Sequence, residues 1–490
     1  MKKIISKSII FFFISIITLG AVFGCGKQTQ SNYDSNGFMT LKVWGGDEYV
    51  GETGNKFQRW INEFNDSQQA KDLKVRLSFS SMSQLPITLN TSVLTNKNMP
   101  DIVIWDRFST PTYDYLLYPI DELITKDKID TSVFQQEALN ELRFENKLYG
   151  LPLDLDPWGI YVNLDMVGTH NATAAEADKI DVNKLDTWSR ITNAAQKLTK
   201  YDNNGNVTVA GLNTTSMDGQ FFSFVYTAGG ELINSNKASP TYGDTVLVKK
   251  EQLTSDAQSK RVYDTLSFIK DLYQKKVSSS GLGGTDAFVN EKLAMTYGSV
   301  YFSDNIADYT TKKMNYKFLP FPKRDLTYLT GGTAQIIDPS ENSDGLVNGQ
   351  FGGVLGGYGL SIVHPTAKNR NALWQERRDM AWEVIKLWML NDEMQEKYFT
   401  TAQVITSRTD LYGNDFYQKE SETSLSSITD IIEYVNYYKM RPNVEGYEQF
   451  ESNIVRTYIQ QMYEGGTVLT AYDNILTEGN KILRQMQGRA

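Results

Sequence analysis

The order of strand-like and helix-like segments restricts the possible folds more than any other feature of this sequence. Residues 41–44 and 73–79 have the apolar pattern of short strands, and residues 57–64 between them carry apolar side chains at helical spacing. Residues 101–105 form a continuous apolar run, which is typical of a strand buried on both faces of a parallel sheet. This alternation predicts an α/β fold built in layers.

A second block of the same type follows Pro152, so we expect two domains. Thr187 is suited to cap a helix over residues 188–199, and residues 447–463 form a later helix. A chain of 490 residues is also longer than one compact core normally accommodates. Residues 202–206 predict a solvated turn, because their glycine is misplaced for a calcium-binding loop and no glutamate occupies the twelfth position.

The first 24 residues have the features of an export signal. Lys2, Lys3 and Lys7 form a basic start, and residues 9–23 are mostly apolar. This run is shorter than the roughly 20 residues of a typical transmembrane helix, and no later segment comes close to that length. We therefore expect an exported chain whose mature part is soluble apart from its start.

Cys25, the single cysteine, follows Val22, Phe23 and Gly24 directly. This segment resembles the lipobox at which bacterial lipoproteins receive a diacylglycerol group and are cleaved. Residues 1–24 are then a lipoprotein signal peptide, and residues 25–37, rich in Gln, Ser, Asn and Gly, form a tether. The protein is expected to be anchored by lipid to the extracytoplasmic face of the cell membrane.

The net charge argues against nucleic acid as a partner. The whole chain has a formal charge of −9, and loss of the three lysines in the signal peptide makes the mature chain −12. A phosphate-binding surface needs clustered Lys and Arg, and the sequence has no such run.

Several segments in order resemble the ABC-type extracellular solute-binding proteins, a family that includes the maltose-binding proteins. Together they extend over about 350 residues in the family's order. The segments are LKVW (41–44), MPDIVIWDRF (99–108), LYPIDELI (117–124), LYGLP (148–152) leading into YVNLD (161–165), TW (187–188), AGGEL (228–232), LAMTYGS (293–299) and AWEVIK (381–386).

This resemblance implies a two-lobed periplasmic-binding-protein-like fold, with hinged lobes that close over a ligand in a central cleft. The chain should cross between lobes near residues 152–156 and again near residues 318–322. The first lobe is placed at residues 38–153 plus 320–405, and the second at 154–319 plus 406–490. The partners implied are a small-molecule ligand, a carbohydrate by preference, and the ABC permease subunits that receive it.

A sugar site requires aromatic platforms beside polar or charged groups. Three tryptophans lie where strands run into loops, each with an acid nearby: Trp44 with Asp47, Trp105 with Asp106, and Trp158 with Asp156. By the resemblance, Asp47, Asp106 and Arg107 fall on segments that contact sugar hydroxyls in maltose-binding relatives. Further ligand-binding candidates on cleft-lining segments are Asp154, Tyr226, Glu231, Tyr297, Tyr301, Tyr358 and Arg456. The remaining tryptophans, at positions 60, 188, 374, 382 and 388, are expected in the core.

Other functions remain open at this stage. Asp154 and Asp156, two apart on a strand, would lie roughly 7 Å apart, a spacing that a glycoside hydrolase could use. The same fold also serves non-carbohydrate solutes, and a lipid-anchored adhesive or signalling module would retain the anchor without a ligand cleft. His170 and His364 have no metal-ligand spacing, and no HExxH, GxSxG or Walker A motif occurs. We therefore expect a binding protein without catalytic residues, metal or cofactor.

Overall fold

The structure is a computed structural model that describes residues 31–46, 50–51, 54–214, 218–278, 282–303, 306, 314–328, 334–337, 352–402, 405–413, 432 and 434–489. The signal peptide, Cys25 and Asp47 lie outside these residues. In the described part of the chain, every helix is too short or too polar to span a membrane.

The first sheet has five strands in the order Val75–Met82, Met39–Gly46, Ile102–Asp106, Tyr358–Ile362 and Leu151–Pro152. The first three are parallel, and Tyr358–Ile362 runs antiparallel to both of its neighbours. Residues 102–105 are completely or almost completely buried, which confirms the prediction of a strand covered on both faces.

The second sheet is built on one long strand, Asp154–Asn163, which pairs with Met295–Ser299 and Tyr316–Pro320 on its two sides. The beginning of the long strand pairs instead with Leu355–Gly356 and Ile405–Thr406. All residues of the long strand are buried except Trp158, which is half-buried. Its length lets one strand extend from the second sheet to the first.

The chain passes from the first sheet to the second at Leu153, between strands Leu151–Pro152 and Asp154–Asn163. It returns at Gly357, which separates strand Leu355–Gly356 from strand Tyr358–Ile362. Gly357 has a φ of +128°, and a Cβ there would lie 2.5 Å from Nη1 of Arg107. Only glycine fits this crossing without displacing its neighbours.

The second crossing therefore lies later in the chain than the expected residues 318–322. Residues 316–320 are a strand of the second sheet, and Phe321, Tyr328 and Val354 pack in its core. A single sequence does not reveal this excursion, because its strands are as apolar as those of the first lobe. The two sets of lobe limits given above stay a prediction.

Each sheet has its own aromatic core. In the first, Trp60 lies 5.4 Å from the ring centroids of both Trp388 and Tyr398. In the second, Trp188 stacks on Phe268 at 4.4 Å. We refer to the parts of the chain packed on the two sheets as the first and second lobes.

The α-helices of the described residues are Lys56–Asp66, Gln68–Asp72, Leu85–Thr95, Thr110–Tyr113, Asp121–Asp127, Gln136–Glu141, Leu164–Thr173, Trp188–Leu198, Asp218–Thr227, Ala257–Gln274, Gly284–Val289, Ala372–Leu390, Asp392–Ala402, Tyr447–Gln449, Arg456–Tyr463 and Val468–Met486.

Three local predictions from the sequence, a helix cap, a later helix and a set of buried tryptophans, can be compared with the structure. The Thr187 hydroxyl accepts a hydrogen bond from the backbone N–H of Arg190 at the start of helix Trp188–Leu198, as expected. The helix expected over residues 447–463 is interrupted by a π-helical segment, Phe450–Val455. Four of the five tryptophans expected in the core are buried, whereas Trp374 is half-buried and stacks on His364 at 5.6 Å.

The described end of the predicted tether lies against the first lobe. The Asn32 amide donates to the backbone oxygen of Leu373 at 2.8 Å and to the Glu376 carboxylate at 2.7 Å. Asp34 forms an ion pair with Arg76 at 3.7 Å. Residues 32 and 34, which fall within the predicted tether, are thus in contact with the first lobe.

Candidate functional site

Arg107 lies at the point where the chain crosses between the sheets, and it is fully buried. Its guanidinium donates to the backbone oxygens of Asp154 at 2.6 Å, Gly356 at 2.6 Å and Tyr358 at 3.0 Å. It also forms an ion pair with Glu141 at 3.1 Å. These bonds hold strands of both sheets together and give Arg107 a structural role, and the ligand contact expected from the sequence stays a prediction.

Asp154 has the same kind of environment. One carboxylate oxygen accepts hydrogen bonds from the hydroxyls of Tyr301 at 2.7 Å and Tyr398 at 3.1 Å, and the other accepts from the backbone N–H of Tyr358 at 2.8 Å. Asp154, Tyr301 and Tyr358 are buried, and we no longer expect them to contact a ligand directly. We call Arg107, Asp154, Tyr301, Tyr358 and Tyr398 the crossing cluster.

Trp44 and Trp105 are each only 2% exposed. Both pack against Leu89 and Val93 of helix Leu85–Thr95 in one apolar cluster. These two strand-end tryptophans thus lie in the core, the ordinary position of a tryptophan, and their contact with ligand stays a prediction. Trp158, the third, remains half-buried beside the second core.

Asp156 lies next to the crossing cluster and is 6% exposed. Burial raises the pKa of Asp156 to about 7, while the positive charge of Lys56 opposes the rise. Lys56 is also buried, with its Nζ 3.0 Å from the centroid of the Tyr301 ring. Lys56 belongs to the first lobe and Tyr301 follows a strand of the second, so this contact joins the lobes.

The most polar contact between the lobes is formed by Asp106 and Arg441. Asp106 ends a strand of the first sheet, and its carboxylate accepts from both terminal nitrogens of Arg441, one at 3.2 Å. The guanidinium carbon of Arg441 lies 3.9 Å from the centroid of the Phe108 ring. Its Nε lies 3.5 Å from Glu141. Arg441 is thus held between an aromatic face and two carboxylates of the first lobe.

Residues of the second lobe complete this arrangement. Tyr447 packs edge-on against Phe108 at 6.0 Å and against Phe222 at 5.5 Å. Burial raises the pKa of Glu451 to about 7, although Arg441 lowers it. Burial also raises the pKa of Glu448, and the negative charge of Asp106 adds to this rise.

Tyr226 lies on the same side and donates its hydroxyl to the backbone oxygen of Met440 at 3.3 Å. We call this group the interlobe cluster. Its members are Asp106, Phe108, Glu141, Tyr226, Arg441, Tyr447, Glu448 and Glu451.

The other candidates lie elsewhere. Tyr297 is buried and stacks on Phe321 at 5.2 Å. Glu231 lies 3.9 Å from Lys439, whose Nζ is 5.9 Å from the Tyr226 ring centroid. Arg456 is exposed on a helix. Of the predicted ligand-binding residues that the structure describes, which exclude Asp47, it brings Asp106 and Tyr226 into the interlobe cluster.

The sequence analysis missed the second-lobe half of this cluster. Glu448 lies two residues before the π-helical segment and Glu451 lies within it, and Arg441 follows Tyr437 and Tyr438. A π-helical segment often marks a functional site, but the sequence alone predicted a regular helix there. Lys56 carried no signal, because a lysine that begins a helix is normally exposed.

The arrangement is suited to binding. It combines carboxylates, one arginine and aromatic faces, which are the groups that recognise a ring with hydroxyls. In the described residues there is no group of three or more potential metal ligands. The carboxylate of Asp202, in the turn considered for calcium, accepts hydrogen bonds from Asn204 and Asn206 within that turn.

Comparison with known proteins gives a family match over most of the chain. The family of bacterial extracellular solute-binding proteins matches residues 59–423. This range contains the second sheet, the first sheet except its strand Met39–Gly46, the crossing cluster and the first-lobe half of the interlobe cluster.

Solved structures share the fold at low sequence identity. An ABC substrate-binding protein from Listeria monocytogenes, in complex with cycloalternan, matches with a TM-score of 0.66 at 15% identity, over 92% of this chain and 99% of its own. The cyclic α-maltosyl-1,6-maltose binding protein of Arthrobacter globiformis has a TM-score of 0.65 at 15% identity, over 92% and 100%. An ABC transporter solute-binding protein from Thermotoga lettingae, bound with α-D-tagatose, has a TM-score of 0.62 at 19% identity, over 91% and 99%. These structures share a two-lobed fold with this chain.

Proposed function

This chain belongs to the family of bacterial extracellular solute-binding proteins, and from that premise we propose that it is the carbohydrate-capturing component of an ABC importer. It is attached to the outer face of the cell membrane through a lipidated Cys25 and delivers its ligand to the permease subunits. The ligands named for the structural relatives, cycloalternan, a cyclic maltosyl-maltose and tagatose, are all carbohydrates, which supports this ligand class.

The observation that carries the proposal is the composition of the interlobe cluster. Phe108 and Asp106 come from the end of a first-sheet strand, whereas Tyr447 and Glu451 come from the second lobe. Aromatic faces pack on the C–H faces of a sugar ring, and carboxylates accept hydrogen bonds from its hydroxyls. A ligand bound here would contact both lobes at once.

A ligand that touches both lobes favours the closed arrangement over the open one, because it gains contacts only when the lobes come together. A micromolar dissociation constant corresponds to about 8 kcal/mol, which exceeds a closing cost of a few kcal/mol. The permease would recognise the closed form, and its ATPase partner would supply the energy for import. The protein itself needs no catalytic group for this function.

Glycoside hydrolysis, which would need both Asp154 and Asp156, is not favoured by the surroundings of Asp154. Both carboxylate oxygens of Asp154 already accept hydrogen bonds, from Tyr301, Tyr358 and Tyr398. A catalytic carboxylate must instead have an oxygen available to the substrate.

A thermal-shift screen of the chain from residue 26 tests the ligand class, with mono- and oligosaccharides, amino acids and peptides as probes. A ligand at a hundredfold excess over its dissociation constant adds about 2.7 kcal/mol to the free energy of unfolding. We expect stabilisation by a carbohydrate and none by amino acids or peptides. Stabilisation only by a peptide or an amino acid would assign the protein to another solute class.

The same screen locates the site with two matched variants. Phe108→Ala removes the ring under Arg441, and Phe38→Ala removes a ring that packs at 4.4 Å on Arg76 elsewhere on the first lobe. Both lose an aromatic–arginine contact. We expect the carbohydrate shift to disappear only in Phe108→Ala, and equal shifts in both variants would place the ligand elsewhere.

A further inference from the structure

Arg441, the cation at the centre of the interlobe cluster, is already paired with carboxylates of the protein. Arg441 is 12% exposed, and its guanidinium is bound by Asp106 and lies beside Glu141. A carboxylate, sulfate or phosphate on a ligand would need this guanidinium. The anionic group of the ligand would have to displace Asp106 from Arg441, and the Asp106 carboxylate would then be left unpaired near Glu448 and Glu451.

The neighbouring cations are also matched. Arg107 donates to three backbone oxygens and pairs with Glu141. Lys439 lies 3.9 Å from Glu231. Among the described residues of this region, each of these cations thus lies beside a carboxylate, although Nε of Arg441 is 3.5 Å from Glu141 and makes no hydrogen bond.

Carboxylates, in contrast, outnumber the cation of the interlobe cluster, because Asp106, Glu141, Glu448 and Glu451 all act on Arg441 or on each other. The buried atoms without a hydrogen bond include Nε of Arg441 and the Tyr447 hydroxyl as well as several acceptor oxygens. Oε2 of Glu448, Oε1 of Gln449 and Oδ1 of Asn443 are buried and have no hydrogen-bond partner among the described residues. Asn443 is only 8% exposed, and its amide nitrogen donates to the backbone oxygens of Asn140 and Arg143 in the first lobe. Buried acceptors without a donor are costly unless a ligand or water supplies one.

From this imbalance we infer that the ligand is a carbohydrate without negative charge, which brings its own hydroxyl or ammonium donors, and that Asp106 sets this preference by occupying Arg441. The inference rests on the proposed function, since it concerns the ligand of the same site. It narrows the ligand class to neutral and amino sugars and excludes uronic acids and sugar phosphates. A uronate would face the carboxylates of Asp106, Glu448 and Glu451, and the cation of the interlobe cluster among the described residues, Arg441, is already paired with Asp106.

Isothermal titration at pH 8 and 150 mM salt, with the chain from residue 26, tests this inference. The neutral probes are maltotriose and mannotriose, the cationic probe is the trisaccharide of glucosamine, and the anionic probes are the trisaccharides of mannuronate and galacturonate. We expect the tightest neutral or amino sugar to bind at least tenfold more tightly than either uronate. A uronate that binds as tightly as the best neutral or amino sugar would overturn the inference.

Two variants assign the preference to Asp106. Asp106→Asn releases Arg441, whereas Asp101→Asn removes an equal charge and releases Arg377, which donates to Asp101 at 2.7 Å. Asp101 precedes the same strand that Asp106 ends, about 16 Å away for five strand residues. We expect Asp106→Asn to reduce the discrimination against uronates to threefold or less and Asp101→Asn to leave it unchanged.

The possible failures are distinct. If none of the carbohydrates binds to folded protein, the proposed function fails and this inference fails with it. If neutral sugars bind but Asp106→Asn discriminates as the unchanged chain does, the carbohydrate function stands and the role of Asp106 is overturned. Folding of each variant is checked by its thermal unfolding, and Glu448→Gln, which removes a carboxylate without freeing Arg441, should lower the discrimination less than Asp106→Asn.

Discussion

Arg107 and Arg441 share the carboxylate of Glu141, yet their surroundings differ. Around Arg107, the guanidinium meets three backbone oxygens and Glu141, and the nearby Asp154 receives three hydrogen bonds. Around Arg441, two further carboxylates have raised pKa values because they are buried beside other acids. Every guanidinium nitrogen of Arg107 and both carboxylate oxygens of Asp154 thus have hydrogen-bond partners, whereas Arg441 lies among more carboxylates than it can pair.

This difference between the two arginines distinguishes a structural region around Arg107, the scaffold, from a ligand-binding surface around Arg441. A buried polar network in which every group has a partner fixes one arrangement of the chain, and it has little left to offer a ligand. A network with raised carboxyl pKa values stores unfavourable free energy that a ligand with donors can relieve. The crossing cluster therefore maintains the geometry between the lobes, and the interlobe cluster is where we expect the ligand.

The largest expected effect is that of removing the scaffold arginine. Arg107→Met leaves Glu141 and three backbone oxygens buried without their donor, so we expect the free energy of unfolding to fall by about 3–5 kcal/mol. Urea unfolding followed by circular dichroism measures this change. Arg441→Met is the matched comparison, and it should lose less stability because Asp106 has a side chain 37% exposed and can be hydrated. An equal or larger loss in Arg441→Met would contradict the division into scaffold and binding surface.

The same contrast occurs within one strand and gives a prediction about pH. Asp154 is fully hydrogen-bonded, whereas burial raises the pKa of Asp156, two residues later, to about 7 from an ordinary value of 3.8. Since the folded state then holds a proton that the unfolded state releases, the free energy of unfolding falls as pH rises from about 4 to about 7. The groups acting on Asp156 are Lys56, Asp154, Ser299 and Tyr301.

Asp156→Asn should remove this dependence. Between pH 5 and pH 8 we expect the loss of unfolding free energy to be smaller in the variant by roughly 2–3 kcal/mol, measured by urea unfolding at several pH values. Asp202→Asn is the control, because hydrogen bonds from Asn206 and Asn204 lower the pKa of Asp202 and its titration lies below this window. A variant that keeps the slope of the unchanged chain would show that Asp156 is ionised throughout.

Local patterns in the sequence were sufficient for the α/β layers. The buried strand Ile102–Asp106 and the cap at Thr187 depend on neighbours a few residues away, so spacing alone predicted them. Which side of a strand a later helix covers is not a local property. The sequence predicted that Trp44 and Trp105 lie at open strand ends, whereas in the structure helix Leu85–Thr95 covers them.

The candidate site was predicted only in part, for the same physical reason. Asp106 stood out because it follows a buried strand, but its partner Arg441 lies 335 positions further along the chain. The pairing depends on how the two lobes meet, and no period or motif in the sequence records it. Arg107 was expected to contact a sugar because its segment resembles that of maltose-binding relatives, and its complete burial depends on strands far from it in the sequence.

The smallest expected change in unfolding free energy is that of Glu448→Gln, and it is opposite in sign to the change expected for Arg107→Met. Glu448 carries a buried oxygen without a partner among the described residues, and its pKa is raised by burial and by Asp106. Glu448→Gln removes the charge while keeping the shape, so at pH 8 we expect the protein to gain about 0.5–1 kcal/mol in unfolding free energy. Because a carbohydrate hydroxyl would lose its charged acceptor, titration should also show binding weakened several-fold. Glu478→Gln, on an exposed pair with Lys481, should change neither quantity measurably. If Glu448→Gln is more stable but binds carbohydrate with unchanged affinity, the ligand does not contact Glu448. If the variant is less stable, Glu448 has a structural role like that of Arg107.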